Sequence, residues 1–521
     1  VIRARGDAPD LVADLLRPEA YPPPRPAEVT LLTTHISWVF VTDREVWKLK
    51  RPVDYGFVDY TTLERRRHFC EQEVALNRRL APDVYLGVVP VTLERGRHTF
   101  VAGGPAVEYA VRMRRLPADA SADALLAASA LTLEHLERLA ARLSRFYAEQ
   151  PPVTAGDAAS AIAANVAENF DQARSFVDRF VSASTLHAVR TWQEGWLRER
   201  GNRFRRRQRR GRVRDGHGDL RLEHIYFESP TGPPIVIDAV EFSERFRVAD
   251  VAADVAFVAM ELEARGRRDL AEGFLAAFAR ETEDDDLYGV IDFYLSYRAW
   301  VRAKVAALVA TDASTPPAKA ARKASEARAL FALAESYTRE RRQAPPVIAV
   351  GGLVGAGKST LAAALGRALA VPVLASDRIR KSLAGVAPTA RAPETAYTAA
   401  FSARTFHELL RRAEVVVGSG RGIVLDATFG SRDLRRRVRD LARRHGRPFR
   451  FVEVQCDEAT LRERLRERSR GPSVSDATEA LLPTMRRRFE QVTELDAAER
   501  VVVDGTAALG TQVEQVRQAV S

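Results

Sequence analysis

Val347-Ile348-Ala349-Val350-Gly351-Gly352-Leu353-Val354-Gly355-Ala356-Gly357-Lys358-Ser359-Thr360 is the stretch on which the reading of this chain turns. Its first four residues are apolar and uncharged, as in a buried strand, and Leu361 to Leu369 has the pattern of a helix. Between them glycine, four residues, glycine, lysine and serine follow in Walker A order. Glycines let the backbone wrap close to phosphate oxygens, and amides at a helix start offer positive potential to an anion. The expected phosphate cradle is Gly352, Gly355, Ala356, Gly357 and Thr360. Lys358 would reach the β and γ phosphates, and the Ser359 hydroxyl would ligate magnesium. The implied cofactors are ATP and Mg2+.

Around this loop, apolar segments at Pro372 to Ala375, Gly422 to Asp426 and Phe449 to Cys456 alternate with helical patterns. That alternation predicts an α/β domain over 347–521, built on a parallel sheet with helices on both faces. Ser376-Asp377-Arg378-Ile379-Arg380 follows the second strand, at the edge of such a sheet where ligands sit. Asp377 there can orient or deprotonate an acceptor hydroxyl, and Arg380 can bind an anionic acceptor; the alternative is a helix cap with a surface arginine. Ile423-Val424-Leu425-Asp426 ends in an acid as a Walker B strand does, so Asp426 is a metal ligand candidate. In Leu461-Arg462-Glu463-Arg464-Leu465-Arg466-Glu467-Arg468, Arg464 and Arg468 are candidates for neutralising a migrating phosphoryl group; an exposed helix of alternating charge is the rival. Together these motifs resemble the kinase branch of P-loop ATPases, similar to gluconate kinases, polynucleotide kinase and zeta toxins.

Ahead of that domain the pattern changes. Val29 to Thr33, Ile36 to Thr42 and Glu45 to Lys50 alternate as strands, the last two joined at Asp43-Arg44, and Thr62 to Leu80 reads as a helix. Strands are expected at Val88 to Glu94 and Val107 to Arg114. Helices dominate from Ala120 to Arg210, with breaks at Pro151-Pro152 and near Gly201, and again from Ala249 to Tyr337. A short strand pair, Ile225 to Phe227 with Ile235 to Ile237, interrupts them. A β-rich part followed by an α-rich part predicts a two-lobed α+β domain over 1–342, the small lobe about 1–116 and the large lobe about 117–342. Gln343-Ala344-Pro345-Pro346 reads as the linker.

Within this region His217-Gly218-Asp219-Leu220-Arg221-Leu222-Glu223-His224 places an acid on a tight loop, where it can accept a hydroxyl proton. The run resembles the His-Gly-Asp catalytic loop of aminoglycoside phosphotransferases and choline-kinase-like enzymes, a protein-kinase-like fold. The resemblance implies Asp219 as base and the residue five positions on as a magnesium ligand. Here that residue is His224, where the family carries asparagine, and magnesium prefers oxygen. It implies Asp238, closing Pro234-Ile235-Val236-Ile237-Asp238, as metal ligand, and Asp250 and Asp254 as structural supports. It also implies a nucleotide-binding lysine in Glu45 to Lys50. Lys48 and Lys50 share a strand face, and Lys48 is selected. Glu73 is its expected partner, with Glu71 and Glu64 as rivals, and the chain around Met113 is the expected adenine hinge. Thr33 to Ser37 stands where a glycine-rich loop would be.

With Lys48 to Val53, Leu63 to Arg67 and Tyr297 to Lys304, the whole chain resembles bacterial bifunctional aminoglycoside phosphotransferase/ATP-binding proteins. That implies an ATP-dependent phosphotransferase with a small-molecule hydroxyl acceptor. An aminoglycoside pocket would need clustered carboxylates, and the acidic run Glu281 to Asp286 reads as a solvated loop.

The 521 residues suit at least two domains, and 46% hydrophobic against 29% charged residues suits buried cores. Two cysteines, Cys70 and Cys456, give neither a disulfide framework nor a zinc pattern and fit a reducing cytoplasm. No membrane span is predicted. The first residue is Val1, so a short leader ahead of it stays open. A net charge of +11 fits anionic ligands. The arginine-dense stretch Arg198 to Arg214 reads as a solvated helix face, with a nucleic-acid surface as the sharper alternative. Only Phe204 interleaves it, which disfavours single-strand stacking. Oligomeric state is not legible.

Overall fold

The computed structural model describes residues 8–54, 56, 58–101, 103–313, 315–339, 344–468, 470 and 474–520. Val1 and the expected linker residue Gln343 lie outside them. By packing, the chain forms two compact units: Val1–Ala158 with Arg205–Glu261, and Ala159–Phe204 with Leu262–Ser521.

The first unit holds a six-stranded antiparallel sheet in the order Thr30–Thr33, Ser37–Val41, Glu45–Lys50, Ala106–Arg114, Tyr85–Glu94, Arg97–Thr99. Alternation sorts the strand Glu45–Lys50 between two cores. Trp47 and Leu49 join Trp38, Phe40 and Ala110 on one face. Val46 packs on the opposite face with Cys70, Val74, Val111 and Met113. Lys48 and Lys50 therefore point toward the helix Leu63–Asn77, the element that carries Glu73. Thr62 caps that helix by accepting from the Arg65 amide. The short strand Arg97–Thr99 was not expected; three residues carry too little alternation to read.

The second unit contains a five-stranded parallel sheet in the order Val373–Ala375, Ile423–Asp426, Val347–Gly351, Phe449–Gln455, Arg500–Asp504. Val347–Gly351 and Ile423–Asp426 are buried along their whole length, as central strands covered on both faces must be. Three adjacent strands thus end side by side at the phosphate loop, at Asp426 and just before Asp377. The edge strand Arg500–Asp504 escaped the sequence reading because its run is short and does not alternate in polarity, Val502 being an exposed apolar residue.

Three expectations are corrected. The helix Ala183–Arg209 runs through Gly201 without a break, because Trp196 and Phe204 on either side both pack on Phe293. Residues Val248–Asp250 form a short strand with Val213–Asp215 rather than starting a helix. The acidic run is not a solvated loop: Asp284, Asp285 and Asp286 are buried, Asp285–Gly289 forms a 3-10 turn, and Arg412 and Arg411 pair with Asp285 and Asp286 at 3.2 and 3.0 Å. No helix among the described residues is long and apolar enough to cross a membrane.

Candidate active sites

In the first unit, residues far apart in sequence meet at the sheet face under the Leu63–Asn77 helix. Lys48 Nζ lies 2.6 Å from Asp238 Oδ1 and 2.9 Å from Glu73 Oε1. Lys50 binds the other Glu73 oxygen and Glu241, and Tyr60 donates to Glu241 at 2.7 Å. The two lysines differ in access. Lys50 and Glu73 are fully buried, whereas the Lys48 side chain is 15% and Asp238 42% exposed. Burial alone would pull the Lys50 ammonium down, but the Glu241 and Glu73 carboxylates hold it above its ordinary value. The charges of Lys48 and His224 hold the Asp238 carboxyl far below the carboxylate range.

The catalytic-loop candidate is shaped by Asp254, whose carboxylate accepts from the His217 amide at 2.7 Å and the Gly218 amide at 2.9 Å. Tyr147 donates to it at 3.0 Å. A Cβ on Gly216 would overlap Asp254 Oδ2, so the loop requires glycine there. His217 is buried and its pKa is lowered by that burial. Its Nε2 faces the Ile237 carbonyl at 2.9 Å and its Nδ1 the Asp219 amide at 3.3 Å, which sets a neutral ring protonated on Nε2. The Asp219 carboxylate stays 30% exposed. His224 lies between the two acids, with Nδ1 3.9 Å from Asp219 Oδ2 and Nε2 3.6 Å from Asp238 Oδ2. Asp250 forms a buried two-pronged pair with Arg207, and Arg205 pairs with Asp157. The first pair draws Arg207 out of the expected solvated face, whereas Arg205 stays exposed. Met113 is a buried strand residue, paired with Val46 and Tyr85, and Arg115 begins the connector beyond it.

Sequence reasoning missed several members of this site. Tyr85 OH accepts from the Asp238 amide at 3.1 Å, and Asn77 accepts from the Ala239 amide at 2.8 Å, fixing the turn in which Asp238 has φ 65°. Arg221 is held at 3.2 Å from Glu261 and, against burial, the charges of Asp219 and Glu223 raise its pKa. No motif flags Tyr85 or Asn77, but Arg221, two residues past Asp219, was legible as a cation beside the expected base.

In the second unit, the phosphate loop is wound tightly enough to need its glycines. Gly352 has φ 135° and a Cβ there would overlap the Val454 carbonyl; Gly355 and Gly357 also have positive φ. Lys358 Nζ donates to the Leu353 carbonyl at 2.6 Å across the loop. Burial lowers its pKa against the charges of Asp426 and Asp377. Ser359 hydrogen-bonds the Asp426 carboxylate, which burial pushes up. This hydroxyl and carboxylate are oxygen donors that fit magnesium, the rest of its shell coming from phosphates and water. Among the described residues no group of three or more metal-binding side chains could hold an ion unaided.

Asp377 sits in the first turn of the helix Ser376–Leu383, and its charge acts on Lys358, Asp426 and Arg468. Arg380 is buried on the same helix, donating to the Ala396 carbonyl at 2.6 Å and to Ser402 Oγ at 3.2 Å, with Tyr397 against its guanidinium at 5.1 Å. Arg464 clasps the loop from behind, donating to the carbonyls of Ala356 at 3.4 Å and Gly505 at 2.9 Å. Arg468 donates to the Ala477 carbonyl at 2.9 Å. The unforeseen Asp476 ties this region together: it accepts from Tyr397 OH at 2.5 Å and the Ala392 amide at 3.0 Å, and pairs with Lys381 at 3.1 Å.

Comparison with known proteins finds similarities to both families and solved structures. The AAA domain family matches residues 347–492. The uncharacterized proteins Rv2004c of Mycobacterium tuberculosis (strain H37Rv) and Mb2027c of Mycobacterium bovis are each 30% identical over 432 residues, covering 81% of this chain and 83% of theirs. Among solved structures, a gluconokinase from Sinorhizobium meliloti 1021 is 22% identical, with a TM-score of 0.26, over 34% of this chain and 93% of its own. A candidate aminoglycoside phosphotransferase from Ralstonia eutropha JMP134 is 11% identical, with a TM-score of 0.36, over 60% of this chain and 92% of its own.

Proposed function

The chain belongs to the family of these mycobacterial proteins, and from that premise, with its residues 347–492 matching the AAA domain family, we propose an ATP-dependent kinase with two phosphotransfer modules. Each module would move the γ-phosphate of ATP to a hydroxyl of a small molecule. We assign the first to residues 1–342 and the second to 347–521.

The observation that carries the reading is the phosphate loop itself: a lysine bridging to Leu353 across a glycine-wound turn, beside a serine bonded to a strand-end acid. In the second module, loop amides from Gly352 to Thr360 and Lys358 would hold the triphosphate, and Ser359 with Asp426 its magnesium. Asp377 would orient the acceptor hydroxyl, with Arg380 for an anionic acceptor and Arg464 and Arg468 near the transferring group. In the first module, Lys48, kept in place by Glu73, would bind phosphate oxygens, and Asp238 and His224 the metal. Asp219 would take the acceptor proton, and Met113 would border the adenine.

A second reading has an observation in its favour. Lys48 is ion-paired directly to Asp238, and His224 stands where an oxygen ligand is expected, an arrangement that also suits a non-catalytic module regulating the P-loop kinase. ATP turnover against a panel of hydroxylated metabolites and aminoglycosides, comparing Asp219→Asn with Lys358→Ala, separates the two. Loss of all activity only in Lys358→Ala rejects two catalytic modules, and loss only in Asp219→Asn rejects a catalytic P-loop.

A further inference from the structure

We infer that the first module binds its nucleotide with a divalent transition ion, manganese or cobalt, held between His224 Nε2 and Asp238 Oδ2 in preference to magnesium. This rests on the reading that the module binds a metal nucleotide at all. The argument starts from the His224 proton. Nδ1 lies 2.9 Å from the Asp219 carbonyl oxygen. A carbonyl can only accept, so Nδ1 carries a proton, and Nε2 is the ring nitrogen left to face a metal ion.

Nε2 faces two carboxylate oxygens, Asp238 Oδ2 at 3.6 Å and Glu223 Oε1 at 3.7 Å. Lys48 serves the other Asp238 oxygen and Glu73. At these separations a proton on Nε2 would make no hydrogen bond. Two metal bonds of about 2.1 Å meeting at an obtuse angle span such a gap. A ring nitrogen fixed through its other N–H to a main-chain carbonyl is also how metal-ligating histidines are oriented. Imidazole favours transition ions, whereas magnesium strongly favours oxygen. Ser359 and Asp426 in the second module offer oxygen only, so that module should keep its magnesium preference. One chain would then carry two nucleotide sites with different metal demands.

The test uses the full chain bearing Lys358→Ala, which silences the P-loop, loaded with Mn2+ and β,γ-methylene ATP. Electron spin-echo modulation should show a directly bound nitrogen that disappears when the chain is labelled with 15N-histidine and a 15N signal replaces it. Nucleotide affinity should favour Mn2+ over Mg2+ by at least about tenfold more than in the same chain with His224→Asn. Nucleotide bound without a nitrogen signal, or a metal ratio unchanged in His224→Asn, overturns the inference and leaves the phosphotransfer reading standing. Absence of any metal nucleotide from the Lys358→Ala chain overturns both. The isotope comparison needs no change at His224, so misfolding of the Asn variant does not blunt it.

Discussion

Lys48 and Lys50 sit two residues apart on one strand, touch the same glutamate, and should nonetheless fail in opposite ways when replaced. Lys50→Met removes a fully buried ammonium from between Glu73 and Glu241. Breaking a buried ion pair costs about 3–5 kcal/mol, because a desolvated charge is left behind. Here each carboxylate keeps a second partner, Lys48 for Glu73 and Tyr60 for Glu241, so the lower end, about 3 kcal/mol, is expected. At roughly 2–4 °C per kcal/mol for a unit of this size, melting should fall by about 6–12 °C. Lys48→Met leaves Glu73 with Lys50 and leaves Asp238 half open to water, so its stability cost should be only about 1 kcal/mol. Its nucleotide affinity should instead drop by about 10–100-fold, the worth of charge-assisted bonds to phosphate at about 1.5–3 kcal/mol. Thermal unfolding and binding of a fluorescent ATP analogue, both in the Lys358→Ala background, measure the two effects. Equal melting temperatures in the two variants, or an affinity loss confined to Lys50→Met, would refute the division of labour.

Burial raises the Asp285 carboxyl to about 6, against Arg412. A carboxyl whose folded pKa exceeds its unfolded value stabilises fully below the unfolded pKa and loses that contribution as pH climbs through the folded one. Stability of the second unit should therefore lose about 3 kcal/mol from this group between pH 4 and 6, and Asp285→Asn should flatten that slope in urea titrations. Gly216→Ala forces a methyl group into Asp254 and displaces the loop bearing Asp219, so turnover by the first module should fall by roughly a hundredfold. Steady-state kinetics in the Lys358→Ala background would check it, and unchanged turnover would detach Asp254 from the loop's function.

What the sequence made legible was local chemistry with a fixed spacing. The run Val347 to Thr360 predicted strand, turn and helix because glycine geometry and phosphate contact leave few alternatives, and the helix Lys358–Leu369 starts at the lysine. The alternation of Glu45 to Lys50 was likewise sufficient to put both lysines on one face. Partners brought in from a distance were not legible. Glu241, Tyr60 and Asp476 belong to no motif, and their roles follow from which element packs over which. The acidic run was misread because composition describes only a segment's own charge, whereas Asp285 and Asp286 owe their burial to arginines more than a hundred residues away.

Those arginines have a practical corollary. Arg411 and Arg412 reach Asp286 and Asp285, and Arg421 is buried against Glu272 at 2.6 Å and Asp292 at 2.9 Å, so positive groups after residue 346 are neutralised by acids encoded well before it. Cutting the gene at the Pro345-Pro346 junction would sever that counter-charge, leaving Arg421 without either of these carboxylates and Arg411 and Arg412 to share Glu408. An excised nucleotide-binding half would consequently be prone to cling to nucleic acid and other polyanions in an extract. An apparent taste for RNA in such a fragment would report the scar of the cut and not the acceptor of the intact enzyme.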